Sequence, residues 1–430
     1  MERGAARSAY DSRVNQQSTA ASFPLPQRES ARSGQAQAGI DDIQTAAAVG
    51  LSPLSRIHAA YLHVPFCFHK CHYCDFYSFV DAKDRQEPFV DRLIAELRAY
   101  ANFRGTDGDV LETIFVGGGT PTLLRPDLWR RLLPELRRCL RPAAEAEFTV
   151  EANPETVTPE LAAILAQGGV NRVSIGAQSF HPRHLKTLER WHDPANVERA
   201  MMIFRDAGIT NLNLDLIFAI PGQTVDDWLA DLEQAVALEP MHLSCYGLTY
   251  EPNTAMTVRL RAGRIEPVDE EVEAAMYESA LDRLAEAGFE QYEISNWSRP
   301  GMASRHNLHY WRNGNWWAFG PSASGHLDGV RWKNVPRLSD YLAVTPWSPV
   351  TDVEGMDADR RLGERLMLGL RLREGLLHAD LRTWLADDAE GRWGVIEQAM
   401  KARMMELHQD RIRLTRQGML VADSILADLV

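Results

Sequence analysis

From residue 57 onward, short β-rich runs alternate with longer segments of helical period, which limits the chain to parallel strands joined by crossover helices. The strand candidates are AAYLHV (59–64), TIFVGG (113–118), EFTVEA (147–152), RVSIGA (172–177), NLNLDLIF (211–218) and HLSCYGL (242–248). Between them, segments such as PFVDRLIAELRAYANF and TVDDWLADLEQAVALE place apolar residues at three- and four-residue intervals, and most open on an N-cap or Pro. A further helix is expected over about 270–287. Six such units build either an open doubly wound sheet or an incomplete barrel. The polar residues favour the barrel: Cys67, Gly117 to Thr120, Glu151, Gln178, Asp215 and Gly247 all fall at or just past a strand's C-terminal end. One pocket fed by six strands is easier on a curved sheet.

The expected fold class is therefore α/β, a partial (βα)6 barrel over 57–290. Residues 291–352 form an aromatic segment and a Pro-containing linker, and 353–430 a small, mainly helical C-terminal domain with a short strand pair turning at Gly418. Residues 1–56 carry Ala, Ser, Gln and Arg with little apolar periodicity and read as a disordered arm. The net charge of −13 argues against nucleic acid as a main partner. No run approaches the roughly 18 apolar residues of a membrane span. There is no apolar secretory region, and Glu2, Asp11 and Glu29 interrupt what would be a transit peptide, so a cytoplasmic location is expected. The sequence leaves the oligomeric state open, a homodimer included.

Five cysteines occur, and Cys67, Cys71 and Cys74 are spaced C-x3-C-x2-C directly after the first strand. Cys139 and Cys245 stand alone and read as small buried hydrophobes. Three thiolates on one tight loop reach three irons of a [4Fe-4S] cubane and leave the fourth iron open to a chelating amine and carboxylate. Zinc is the alternative, and it would need a fourth ligand such as His69 or His72.

With these cysteines, the sequence resembles the radical S-adenosylmethionine superfamily, and the resemblance runs from Tyr61 to the C-terminus. It implies a TIM-type radical SAM barrel, a [4Fe-4S] cluster and S-adenosyl-L-methionine as cofactors, and an external electron donor. The run Gly117, Gly118, Gly119, Thr120 and Pro121 follows the second strand, where the missing side chains would let backbone approach the methionine amine. Glu151, Gln178, Arg190 and Asp215 match the relatives' positions for methionine or ribose, and Tyr61 and Tyr73 match aromatic positions beside the cluster and adenine.

YLHVPFC, GGGTPT, SIGAQSF, LDLIFAIPGQT and YEISN resemble the branch that contains oxygen-independent coproporphyrinogen III oxidase and the haem chaperones. The oxidase carries a further cysteine two residues after the third, where this chain has Phe76. His306, Asn307, Tyr310 and Trp311 match the H-N-x-x-Y-W signature of the chaperones. The resemblance thus implies haem as cargo and a haem-acceptor protein, soluble or membrane-bound, with radical decarboxylation by an oxidase as the alternative. Imidazole is a standard ligand of haem iron, so His306 is the expected ligand ahead of His309 and Tyr310. Trp311, Trp316 and Trp317 offer flat apolar surface, and Arg305, Arg312 and Arg331 offer partners for propionates.

Overall fold

The structure is a computed structural model that describes residues 56–105, 109–386, 388 and 391–430. The expected N-terminal arm lies outside the described residues, Arg56 excepted. Six parallel strands form the centre, in sequence order: β1 (Ala59–Val64), β2 (Leu111–Gly118), β3 (Pro142–Ala152), β4 (Arg172–Gln178), β5 (Asn211–Phe218) and β6 (His242–Gly247). All six sequence candidates are strands, with β2 and β3 starting earlier than expected.

Two-residue alternation separates the faces. Val173, Ile175 and Ala177 on β4, and Leu212, Leu214 and Leu216 on β5, are fully buried under the crossover helices. The helix Pro126–Leu140 answers with Leu128, Trp129, Leu132, Leu133 and Leu136. Each such side chain contributes about 1.5–3 kcal/mol of burial. The opposite, inward faces carry Thr113, Glu147, Thr149, Glu151, Arg172, Ser174, Asn213, Asp215 and Ser244. The lumen is therefore lined by hydrogen-bonding groups.

The sheet has twelve strands, because residues 290–355 extend it at both edges. At one edge β8 (Asn296–Ser298) pairs antiparallel with β6, and β7 (Glu290–Glu293) pairs with β8. At the other, β9 (Trp316–Phe319) lies parallel to β1, followed by β10 (Ser324–Leu327), β11 (Val330–Asn334) and β12 (Val350–Gly355). The β10–β11 hairpin turns on Asp328-Gly329, with φ of 48° and 82°, the primed geometry that an Asp-Gly pair favours. The arc does not close: its end strands are β7 and β12. Arg92 ties the edge extension down by donating to the carbonyls of Tyr341 (3.1 Å), Val344 and Pro346 (2.9 Å).

The C-terminal region packs the helices Ala358–Arg371, His378–Trp384 and Arg392–Lys401 around a three-stranded sheet of β13 (Leu376–Leu377), β14 (Met405–His408) and β15 (Arg411–Leu414). The expected strand pair is here, but its turn is at Gln409-Asp410 and not at Gly418. Gly418 sits in the short helix Arg416–Met419, where a Cβ would lie 1.8 Å from the Met404 carbonyl oxygen. Close backbone approach, and not a turn, demands glycine there.

Candidate functional site

The inward and C-terminal ends of β1–β6 surround a cavity of about 450 Å³. Cys67, Cys71 and Cys74 line one wall, on a loop that leaves β1 and is pinned by the Cys67 amide donating to the Phe79 carbonyl at 3.0 Å. Cationic side chains attend the thiols: Lys70 Nζ lies 3.9 Å from Cys74 Sγ and Arg190 3.8 Å from Cys71 Sγ. Among the described residues, no three His, Cys, Asp or Glu side chains converge as a single-ion site requires. His69 instead stacks on Trp191, with centroids 4.2 Å apart, and His72 turns towards Arg259.

The glycine run docks against protein on both sides. A Cβ on Gly118 (φ 106°) would lie 2.4 Å from the His63 ring, and one on Gly119 would lie 2.7 Å from the Phe66 carbonyl. The Gly118 amide donates to Glu151 Oε2 at 2.9 Å, and those of Gly119 and Thr120 donate to the Val64 and Phe66 carbonyls, each at 2.7 Å. The missing side chains thus seat this loop between β1 and β3, a tighter requirement than ligand access alone.

Glu151, Gln178, Arg190 and Asp215 converge on the same cavity, as do Tyr73 and Gly118 to Thr120. Gln178 reaches it from a bulge after Gly176 with φ of 64°, a left-handed conformation unusual outside glycine. Arg190 donates to the Gly176 carbonyl at 2.8 Å, and a Cβ on Gly176 would lie 2.9 Å from its guanidinium. Asp215 accepts from Asn213 Nδ2 at 2.7 Å and Ser174 Oγ at 3.1 Å. Burial raises both carboxyls, Asp215 against the pull of these hydrogen bonds and Glu151, with Asp215's charge added, to about 7.

Sequence reading missed Arg172. It is 2 % exposed, lines the cavity floor, and its Nε has no hydrogen-bond partner. It is the positive charge that favours ionisation of both Glu151 and Asp215. An arginine opening a strand reads as surface until the arc turns it inward. Asn213 and Ser244, also missed, follow from the same inward alternation. The rim carries Phe68, Phe76 and Trp191, respectively 36 %, 62 % and 59 % exposed.

The remaining candidates, Asn307 excepted, lie elsewhere. Tyr61 is not a lining residue: its hydroxyl bonds His63 Nδ1 at 3.1 Å and its ring stacks on Phe115. His63 Nε2 donates to the Tyr77 carbonyl at 2.7 Å, and burial lowers its pKa to about 4, so the ring stays neutral.

His306, Asn307, Tyr310 and Trp311 occupy the helix Arg305–Trp311, which plugs the N-terminal end of the strands. Glu147 holds its start by accepting from the amides of Arg305 (2.9 Å) and His306 (3.0 Å). Of the four, only Asn307 lines the cavity. His306 is 1 % exposed, bonded through Nδ1 to Thr113 Oγ1 at 2.8 Å and covered by Phe115 and Tyr310, while its Nε2 has no partner. Trp311 lies under Arg371, and Trp317 is packed among Tyr100, Trp332 and Trp347. The arginines expected to meet propionates already have partners: Arg305 the Glu145 carbonyl, Arg312 Glu374 and Arg331 Glu364. Trp311, Arg312 and Arg331 thus join the sheet to the C-terminal region, whereas Trp317 and Arg305 pack within the sheet and its flanking helix and linker.

Residues 61–235 match the radical SAM superfamily model, and residues 356–421 match the HemN C-terminal domain model. The heme chaperone HemW of Mycobacterium tuberculosis is 38% identical over 89% of this chain and 97% of its own. That of Bacillus subtilis is 33% identical over 85% and 97%. The fold is that of coproporphyrinogen III oxidase (HemN) from Escherichia coli, at a TM-score of 0.77 over 90% of this chain and 92% of that one, with 20% identity. With relatives this similar along nearly their entire length, the chain belongs to the HemW family of haem chaperones, within the radical SAM superfamily.

Proposed function

We propose that this chain carries a [4Fe-4S] cluster on Cys67, Cys71 and Cys74, binds S-adenosylmethionine in the cavity beside it, and passes haem to an acceptor protein. The observation that carries the first two parts is the convergence of three thiols, the glycine run, two buried carboxylates and Arg190 on one cavity. The donor set fits both groups. Three thiols spread round a loop, without the convergence a single ion needs, suit the corners of a cubane. A cavity with carboxylates at mid-depth and Arg190 beside the cysteines suits a molecule with ammonium, carboxylate and ribose groups.

Held on Cys67, Cys71 and Cys74, such a cluster would supply single electrons to a sulfonium bound beside it. This chain's residues do the rest. Glu151 and Asp215 accept hydrogen bonds from ammonium or ribose hydroxyls, and Arg172 beneath them favours the ionised forms that accept best. Arg190 answers the carboxylate and Gln178 contributes an amide. Tyr73 covers the loop face.

Haem handling rests on the family and on position 76, where the phenylalanine, 62 % exposed at the cavity rim, supplies an apolar face and no thiolate. His306 is the proposed iron ligand, with Asn307, Tyr310 and Trp311 around it. Its unpartnered Nε2 supports the assignment, and iron reaches it only after Tyr310 or Phe115 moves. Titrating the reconstituted protein with haemin is expected to give a saturable Soret band that His306→Ala diminishes. An undiminished band removes His306, and no saturable band removes haem handling. Anaerobic release of carbon dioxide from coproporphyrinogen III would replace the chaperone reading with the oxidase.

A further inference from the structure

We infer that the basic groove beside the cysteine loop, between the helices Pro182–Thr187 and Ala255–Arg261, is the docking surface for a small acidic protein that delivers single electrons. The inference rests on the cluster reading above.

The groove encloses about 710 Å³, and its walls carry Arg183, Lys186, Arg259 and Arg264 against one carboxylate, Glu189. On a chain of net charge −13, this concentration of positive charge is local and out of character. Arg183 is partly neutralised by Asp227 at 2.7 Å, whereas Lys186 and Arg264 enter no ion pair among the described residues. Val258, 63 % exposed, adds an apolar contact inside the charged rim. An apolar centre with a charged border is the usual anatomy of a transient protein interface.

The groove's position identifies what docks there. His72 lines it and is the covalent neighbour of Cys71. The His72 amide donates to the Leu188 carbonyl at 3.2 Å, and its own carbonyl accepts from the Met256 amide at 2.9 Å. Both walls are thus stitched to the peptide that follows a cluster ligand. An electron arriving at His72 is one peptide link from Cys71. In the transfer, the carrier's reduced centre loses one electron and the cluster gains it, passing from the 2+ to the 1+ state, and no proton or other atom moves. A concave site suits a protein's convex acidic face better than a flat anionic membrane.

The test is anaerobic stopped-flow reduction of the reconstituted full chain by an acidic flavodoxin in its hydroquinone form, with complex formation followed in parallel by calorimetry. K186E/R264E is expected to slow reduction about tenfold or more at low ionic strength and to weaken binding in step. The wild-type rate is expected to fall towards the variant's as salt rises. Reduction by dithionite stays unchanged in the variant, and Lys401→Glu, in the C-terminal region, leaves the flavodoxin rate unchanged. Normal dithionite reduction with a flavodoxin rate insensitive to both salt and K186E/R264E overturns the groove alone. Binding of the groove to phosphatidylserine vesicles but not to flavodoxin does the same. A wild-type protein with no dithionite-reducible cluster overturns both this inference and the reading it rests on.

Discussion

The two ends of the barrel are built from similar residue types and behave oppositely. At the C-terminal ends of the strands, thiols, carboxylates and arginines face an open cavity, and Phe76 and Trp191 stand exposed at its rim. At the N-terminal ends, the helix Arg305–Trp311 brings two histidines, a tyrosine and a tryptophan together, yet its first amides and His309 are satisfied within the protein, while His306 Nε2 is left without a partner. Composition therefore does not distinguish a ligand site from a plug. What does is whether the polar groups find their partners in the chain or face empty volume.

Each end can be broken separately. The largest effect is expected from Cys71→Ala, which should abolish the cluster's absorption and all deoxyadenosine formation while circular dichroism stays native. A retained cluster would refute the three-thiol assignment. Next is Glu147→Ala at the plug. It strands the Arg305 and His306 amides, and losing hydrogen bonds to a charged acceptor is worth about 3 kcal/mol in thermal or denaturant unfolding. Titration of S-adenosylmethionine should be unaffected, and a parallel loss of binding would show that the two ends are not independent.

Glu151 comes third. Its folded value, about 7, lies above the ordinary 4.5, so the cofactor-free protein should lose stability as pH rises between the two, where the unfolded chain ionises first. Affinity for the cationic cofactor should instead rise as pH climbs through about 7, as Glu151 ionises. Glu151→Gln should flatten both profiles and weaken binding about tenfold near neutrality, the scale of one charge-assisted hydrogen bond. Unchanged profiles would move the titration to another group. The smallest effect is expected at the rim: Trp191→Ala removes an exposed ring and should change stability by less than about 1 kcal/mol, yet weaken haemin uptake. A large loss of stability would mean the rim is structural after all.

The six central strands and the cysteine loop were legible because each strand's outward face is an unbroken apolar set and the thiols sit next to one another in sequence. Glu151 and Gln178 were legible as polar residues at the ends of strand candidates, and Asp215, which lies inside β5, through the family resemblance. Arg172 was not, since only the curvature of the sheet converts a strand-opening arginine into a cavity floor. The edge strands β7 to β12 were not either. They are short and aromatic, and their period is confused by residues that pack both on the sheet and on the C-terminal region, although Asp328-Gly329 carried a hairpin signal. Tyr61 and Trp311 share the ring chemistry of ligand-binding residues, and nothing in a linear pattern records that their faces are already covered.

The chain that leaves β8 at Ser298 enters β9 at Trp316, so a single connection links the strand beside β6 to the strand beside β1, across the six central strands. It works as a tie rod, with the plug helix as its rigid middle. Lengthening it would loosen the spacing between the two flanks of the arc. The aperture available to a broad, flat cargo is then a dimension set at the closed end of the barrel, by the same connection that carries His306.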